Sequence, residues 1–179
     1  MIAGLIIACE LGFWFFVLLG LATRYLLKKK TMGLILLLLT PIVDLLLLIF
    51  TVIDLQNGGV ANFFHGLAAV YIGVSLAFGH KMIRWADQRF AYRFANGPAP
   101  MKPPKHGKEH ASYERRGWFT HLLAWIIGAV LLYGLIWLVN DTSKTEQLMQ
   151  MIKLWGGIVF IDFLYSFSFA LWPRKAKHT

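Results

Sequence analysis

Glu10, Asp44 and Asp162 lie deep inside three different apolar runs, and no lysine or arginine shares their depth. A carboxylic acid at the centre of a membrane-spanning helix costs about 2.5–3.5 kcal/mol on insertion scales, so such a group turns toward a bundle interior, a polar cavity or a partner. Counted from the expected outer helix ends at ~1.5 Å per residue, His65 falls at roughly 6 Å, Glu10 at about 12 Å, and Asp44 and Asp162 near 15 Å. These depths predict that the three acids converge in the outer half of a helix bundle with His65 above them. Carboxylate oxygens with one imidazole suit a proton, a hard cation or a divalent transition metal. The plainer alternative is three neutral acids that hydrogen-bond between helices.

The residues around the acids carry the same pattern. At about 100° per residue, Thr40, Asp44 and Thr51 share one stripe of the second apolar run, with Asp54 near it at the outer end. Pro41 lacks a backbone donor, so it frees a carbonyl in the turn below, which is either an additional oxygen ligand or a group that Thr40 satisfies. The third run carries Asn62, His65, Tyr71, Ser75 and His80. Its Ala69, Gly73 and Ala77 fall at a small-xxx-small spacing, which permits close approach and predicts a central helix. The fifth run adds Trp155, Tyr165 and Ser166 around Asp162.

His80 and His121 form a second constellation, at the inner ends of the third and fourth runs. Two histidines on different helices at one depth can ligate a haem from both faces. Ordinary interfacial anchoring beside Trp85, Trp118 and Trp125 explains them equally well. Cys9 is the only cysteine, which excludes an intramolecular disulfide and a Cys-x-x-Cys metal or redox site.

The elements that must position these groups are membrane spans. The chain is 58% hydrophobic with mean hydropathy +0.58, too apolar for a soluble domain of 179 residues. Five stretches, about 2–23, 33–54, 61–80, 118–139 and 151–172, are long enough for a hydrocarbon core of about 30 Å. An all-α, polytopic five-helix bundle in one transmembrane domain follows, with a basic connection over 81–117. The first run contains Glu10 and lacks a basic leader, so it reads as a retained helix.

Sixteen of the eighteen lysines and arginines fall on one side, among them Arg174, Lys175 and Lys177, and only Lys144 and Lys153 on the other. The positive-inside rule then puts the amino terminus outside and the carboxyl terminus in the cytoplasm. The net charge of +9 is explained by this topology and by anionic lipid, and nucleic acid is not an expected partner. Within the basic connection, residues 81–94 read as an interfacial helix continuing the third span, with Arg84, Trp85, Arg89 and Arg93 contacting lipid head groups and Asp87 interrupting the apolar face. The proline-rich stretch from Gly97 to Gly107 reads as extended.

The runs His65-Gly-Leu-Ala-Ala-Val-Tyr-Ile-Gly-Val-Ser-Leu-Ala-Phe-Gly, Trp85-Ala-Asp-Gln-Arg-Phe and Trp172-Pro-Arg-Lys resemble the small bacterial integral membrane proteins labelled YmcC, over the whole chain. The resemblance implies a multi-pass protein of the bacterial cytoplasmic membrane. It transfers no activity and no site residues.

Three functions fit these observations. The first is binding or transport of a proton or small cation in a carboxylate-lined cavity, with a homodimer expected for so small a carrier. The alternative is a non-enzymatic scaffold or regulator that contacts anionic lipid and a membrane partner through the basic segment. The third is a haem- or metal-binding protein. No Gly-x-Ser-x-Gly or His-Glu-x-x-His motif is present, so an enzyme is not expected and no cofactor is predicted.

Overall fold

A computed structural model describes residues 2–94 and 97–172, with side chains from Gly4 onward. Five helices account for nearly all of these residues: α1 (Ile2–Tyr25), α2 (Lys30–Gln56), α3 (Phe63–Phe94), α4 (Gly107–Val139) and α5 (Thr142–Leu171). Each is long and apolar enough to cross a membrane. Arg174, Lys175 and Lys177, which contribute to the charge asymmetry, lie outside the described residues.

Helices α1 and α2 pack as one hairpin and α4 and α5 as another, with α3 between them as the expected central helix. The small residues explain the close approach. A Cβ on Gly73 of α3 would lie 2.4 Å from the Ala124 carbonyl oxygen of α4, and one on Gly128 of α4 would lie 3.1 Å from the Ala69 carbonyl oxygen of α3. Association of helices in lipid rests on such van der Waals packing, because lipid tails are as apolar as leucine.

Three helices run two turns or more beyond their apolar stretches. Helix α4 begins at Gly107 rather than near 118, α5 begins at Thr142 rather than near 151, and α3 runs unbroken to Phe94. Residues 81–94 of the expected connection are thus helical, as read from the sequence, 107–117 belong to α4, and among the described residues of the connection 97–106 are irregular. Hydropathy marks where a helix leaves lipid, whereas its backbone hydrogen bonds continue as long as the residues permit.

The start of α5 is set by its cap. Asn140 takes the left-handed conformation at φ 49°, and the Asp141 carboxylate accepts from the backbone N–H groups of Ser143 and Lys144 at 3.0 and 3.4 Å. Hydrogen bonding from Ser143, first of all, holds the Asp141 carboxyl below the usual carboxylate range. At the same end, Ala61 N–H donates to the Lys144 carbonyl at 2.8 Å and Lys144 Nζ donates to the Leu55 carbonyl at 3.1 Å, tying the α2–α3 connection to α5.

At the opposite end Arg24 is a three-way clamp. It is 7% exposed, its Nε donates to Asp87 Oδ1 at 3.0 Å, its Nη2 bonds Asp87 Oδ2, and its Nη1 donates to the Lys30 carbonyl at 2.8 Å. Asp87 thus does more than interrupt an apolar face: it joins the extension of α3 to the end of α1 and the start of α2. Tyr25 against Phe90, with ring centroids 5.0 Å apart, extends the same contact.

Candidate functional site

The polar stripe of α2 is buried as a unit: Thr40, Asp44 and Thr51 all face the interior. Thr51 Oγ1 donates to the Leu47 carbonyl at 2.8 Å, and Thr40 Oγ1 donates to the Leu37 carbonyl at 2.8 Å. Leu37 stands four residues before Pro41, so its carbonyl is the one that proline leaves without a backbone donor. Thr40 fills that vacancy, α2 continues through Pro41, and the carbonyl considered as an extra ligand already has a donor.

Asp44 differs from its neighbours on the stripe. The residue is 2% exposed, and its Oδ2 is buried without a hydrogen-bond partner among the described residues. Helix α1 covers it: Gly12 meets Val43, and the Cys9 thiol is close enough to Asp44 for an electrostatic interaction. Glu10, half-buried beside Cys9, makes no hydrogen bond to the described residues. One turn further in, Phe13 stacks on Tyr71 of α3 at 4.8 Å, so the inner face of α1 looks toward both α2 and α3.

His65 is buried in the first turn of α3 and is occupied by capping. Its backbone N–H donates to Asn62 Oδ1 at 3.2 Å, while its Nδ1 accepts from the backbone N–H of Asn62 at 3.2 Å. This reciprocal arrangement has the logic of a capping box, with imidazole as the returning acceptor. Asn62 followed three residues later by His65 was the available signal.

Asp162 does not share a cluster with these groups. Gly66, next to His65, packs against Met151 of α5, where a Cβ would meet the Met151 Cβ at 3.1 Å. Asp162 lies 162 − 151 = 11 residues further along α5, about 16 Å deeper at ~1.5 Å per residue. The early start of α5 is the reason: counting depth from 151 puts Asp162 too near the outer surface. Its carboxylate instead accepts from His121 Nδ1 at 2.5 Å and from Ser166 Oγ at 3.4 Å, beside a cavity of about 140 Å³. Among the described residues, no three His, Cys, Asp or Glu side chains stand close enough to hold a metal.

The histidines weighed as haem ligands take separate partners. His80 is exposed and its Nε2 lies 2.6 Å from Arg84 Nη2, whereas His121 bonds Asp162 and packs its ring against Phe78 at 5.0 Å. On the α3 extension Arg84, Trp85, Arg89 and Arg93 are all exposed, and the Arg89 guanidinium sits 4.3 Å from the Trp85 ring centroid. Sequence reasoning missed two pairings, Arg24 with Asp87 and His121 with Asp162; both join residues far apart in the chain.

The chain is 48% identical over 177 residues to the uncharacterized membrane protein YmcC of Bacillus subtilis (strain 168), an alignment covering 98% of this chain and 95% of that protein. No protein-family model matches the chain, and no solved structure matches it.

Proposed function

Because the chain belongs to the family of the membrane protein YmcC, a name that carries no activity, we propose a function from its intramembrane chemistry: it binds a proton at Asp44 within the bilayer. The burial of Asp44, with neither a cationic partner nor a donor to Oδ2 among the described residues, carries this reading. A carboxyl group with no such partner is tolerated in an apolar interior as the neutral acid, and giving up its proton requires access to water or to a new partner. A hard cation needs several oxygen ligands together, and the separation of Asp162 from Asp44 speaks against a three-carboxylate site. The proton is the ion this geometry suits.

Infrared difference spectra of the full-length protein between alkaline and acid pH test the reading. The wild type is expected to show a buried carboxylic-acid carbonyl band that Asp44→Asn deletes while the helical content stays unchanged. Identical carbonyl bands in the two proteins would refute it.

We further propose the topology read from charge, with the amino terminus outside and the basic connection in the cytoplasm. In a Cys9→Ser background, cysteine at Asn57 or Ser143 is expected to react with an impermeant thiol reagent added to intact cells, and cysteine at Ala99 only after lysis. Asn57 is preferable to Gly58, whose φ of 102° disfavours any side chain. Labelling of Ala99 alone in intact cells would invert the topology.

A second role, contact with anionic lipid, is favoured by the exposed Arg84, Arg89 and Arg93 on the α3 extension. Each basic residue near an anionic surface contributes about 1 kcal/mol, weakened by salt. Replacing all three by glutamine should reduce the anionic phospholipid that co-purifies with the protein and flatten the salt dependence of its exchange. Equal retention of anionic and zwitterionic lipid by the wild type would remove this role.

A further inference from the structure

The His121–Asp162 pair has its own setting, independent of Asp44. It borders the cavity of about 140 Å³ between α3, α4 and α5, walled chiefly by Phe78, Ala124, Trp155 and Ile158. The Trp155 wall is fixed: a Cβ on Gly128 would lie 2.3 Å from its Cζ3 and one on Gly73 would lie 3.1 Å from its Cη2, so the indole edge occupies a slot between α3 and α4. Trp125 Nε1 donates to the Ile152 carbonyl at 3.2 Å and holds the neighbouring turn of α5.

The polar corner is equally well positioned. Asp162 accepts from His121 Nδ1 through one oxygen and from the buried Ser166 hydroxyl through the other. In the neutral imidazole whose Nδ1 donates to the carboxylate, the second ring nitrogen is an acceptor. That nitrogen, Nε2, makes no hydrogen bond to the described residues, and the His121 side chain is 48% exposed. An apolar cavity of about 150 Å³ has room for a benzene ring. A ligand that fits here combines a flat apolar body with one hydroxyl aimed at an imidazole, and the exposed Ile158 marks the side on which an apolar tail would lie.

We propose that this cavity binds the ring of a membrane-soluble quinol, one ring hydroxyl donating to Nε2 of His121, with the apolar tail left in lipid beside Ile158. The aromatic walls fit a ring better than a flexible glyceryl group, and the single polar corner matches one hydroxyl. Asp162 acts as a positioning residue that fixes the tautomer and orientation of the imidazole.

The test uses the full-length protein in phosphatidylcholine nanodiscs, titrated without oxygen with a benzoquinol bearing a ten-carbon chain, its dimethyl ether and dioleoylglycerol. Saturable binding of the quinol is expected, weakened about tenfold or more by His121→Phe, which removes the acceptor from an exposed position. Ile158→Trp, at a residue 57% exposed, leaves the pair intact and should weaken binding by filling the cavity. The dimethyl ether should bind wild-type protein as weakly as the quinol binds His121→Phe. An ether as tight as the quinol, or undiminished affinity in both variants, would overturn the proposal. Binding of dioleoylglycerol as tight as the quinol would overturn the aromatic assignment in favour of a lipid hydroxyl, and the absence of saturable quinol binding would overturn the site.

Discussion

Asp87→Ala is expected to destabilise the protein by about 3–5 kcal/mol, the range for removing one partner of a buried ion pair. Arg24, at 7% exposure, would keep its charge and lose two of its three hydrogen bonds, retaining only the one to the Lys30 carbonyl. The effect should fall toward the lower end of that range, because Asp87 is 28% exposed and water can partly replace it. Asp87→Asn keeps one acceptor for the guanidinium and should cost less. The double variant Arg24→Met, Asp87→Leu should recover much of the loss, because no buried charge then lacks a counterpart. Reversible unfolding in mixed micelles gives the cycle; if the double variant is no more stable than Asp87→Ala, loss of packing rather than an orphaned charge controls this corner.

Asp44→Leu should do the opposite, raising stability by up to about 2.5–3.5 kcal/mol while abolishing proton binding. The wild-type acid is buried and its Oδ2 has no hydrogen bond from the described residues, so an apolar replacement of similar size deletes a cost and breaks no such bond to that atom. The neighbouring threonines donate to carbonyls of their own helix and would lose nothing. A residue retained against stability in this way is the pattern expected of a functional group. The same unfolding measurement decides the matter: if Asp44→Leu is several kcal/mol less stable than wild type, Asp44 holds helices together and the proton-binding reading loses its support.

Arg24 and Asp87 also show how far a linear reading reaches. Arg24 reads as one of several juxtamembrane charges and Asp87 as a flaw in an interfacial helix, because neither carries a sign of its partner 63 residues away. The start of α5 was more accessible. Asn140-Asp141 followed by Thr-Ser-Lys is a left-handed stop and an N-cap in succession, a local signal that begins the helix at Thr142 rather than near 151. That shift alone moves Asp162 away from the depth of Asp44.

The five spans, their approximate positions, the polar stripe of α2 and the small-residue face of α3 were determined by the sequence itself. Each is a local property: apolar length against bilayer thickness, and angular spacing along one helix. Which acid faces which helix was decided by tertiary structure alone. Helices in lipid rotate and slide on one another until small residues interlock, and a shift of one turn changes every cross-helix neighbour. The seating of the Trp155 edge between Gly73 and Gly128, the meeting of Met151 with Gly66 and the Arg24 clamp set those registers here. They leave Asp44 without a partner for its Oδ2 among the described residues, and they give Asp162 a histidine from α4 instead of a second carboxylate.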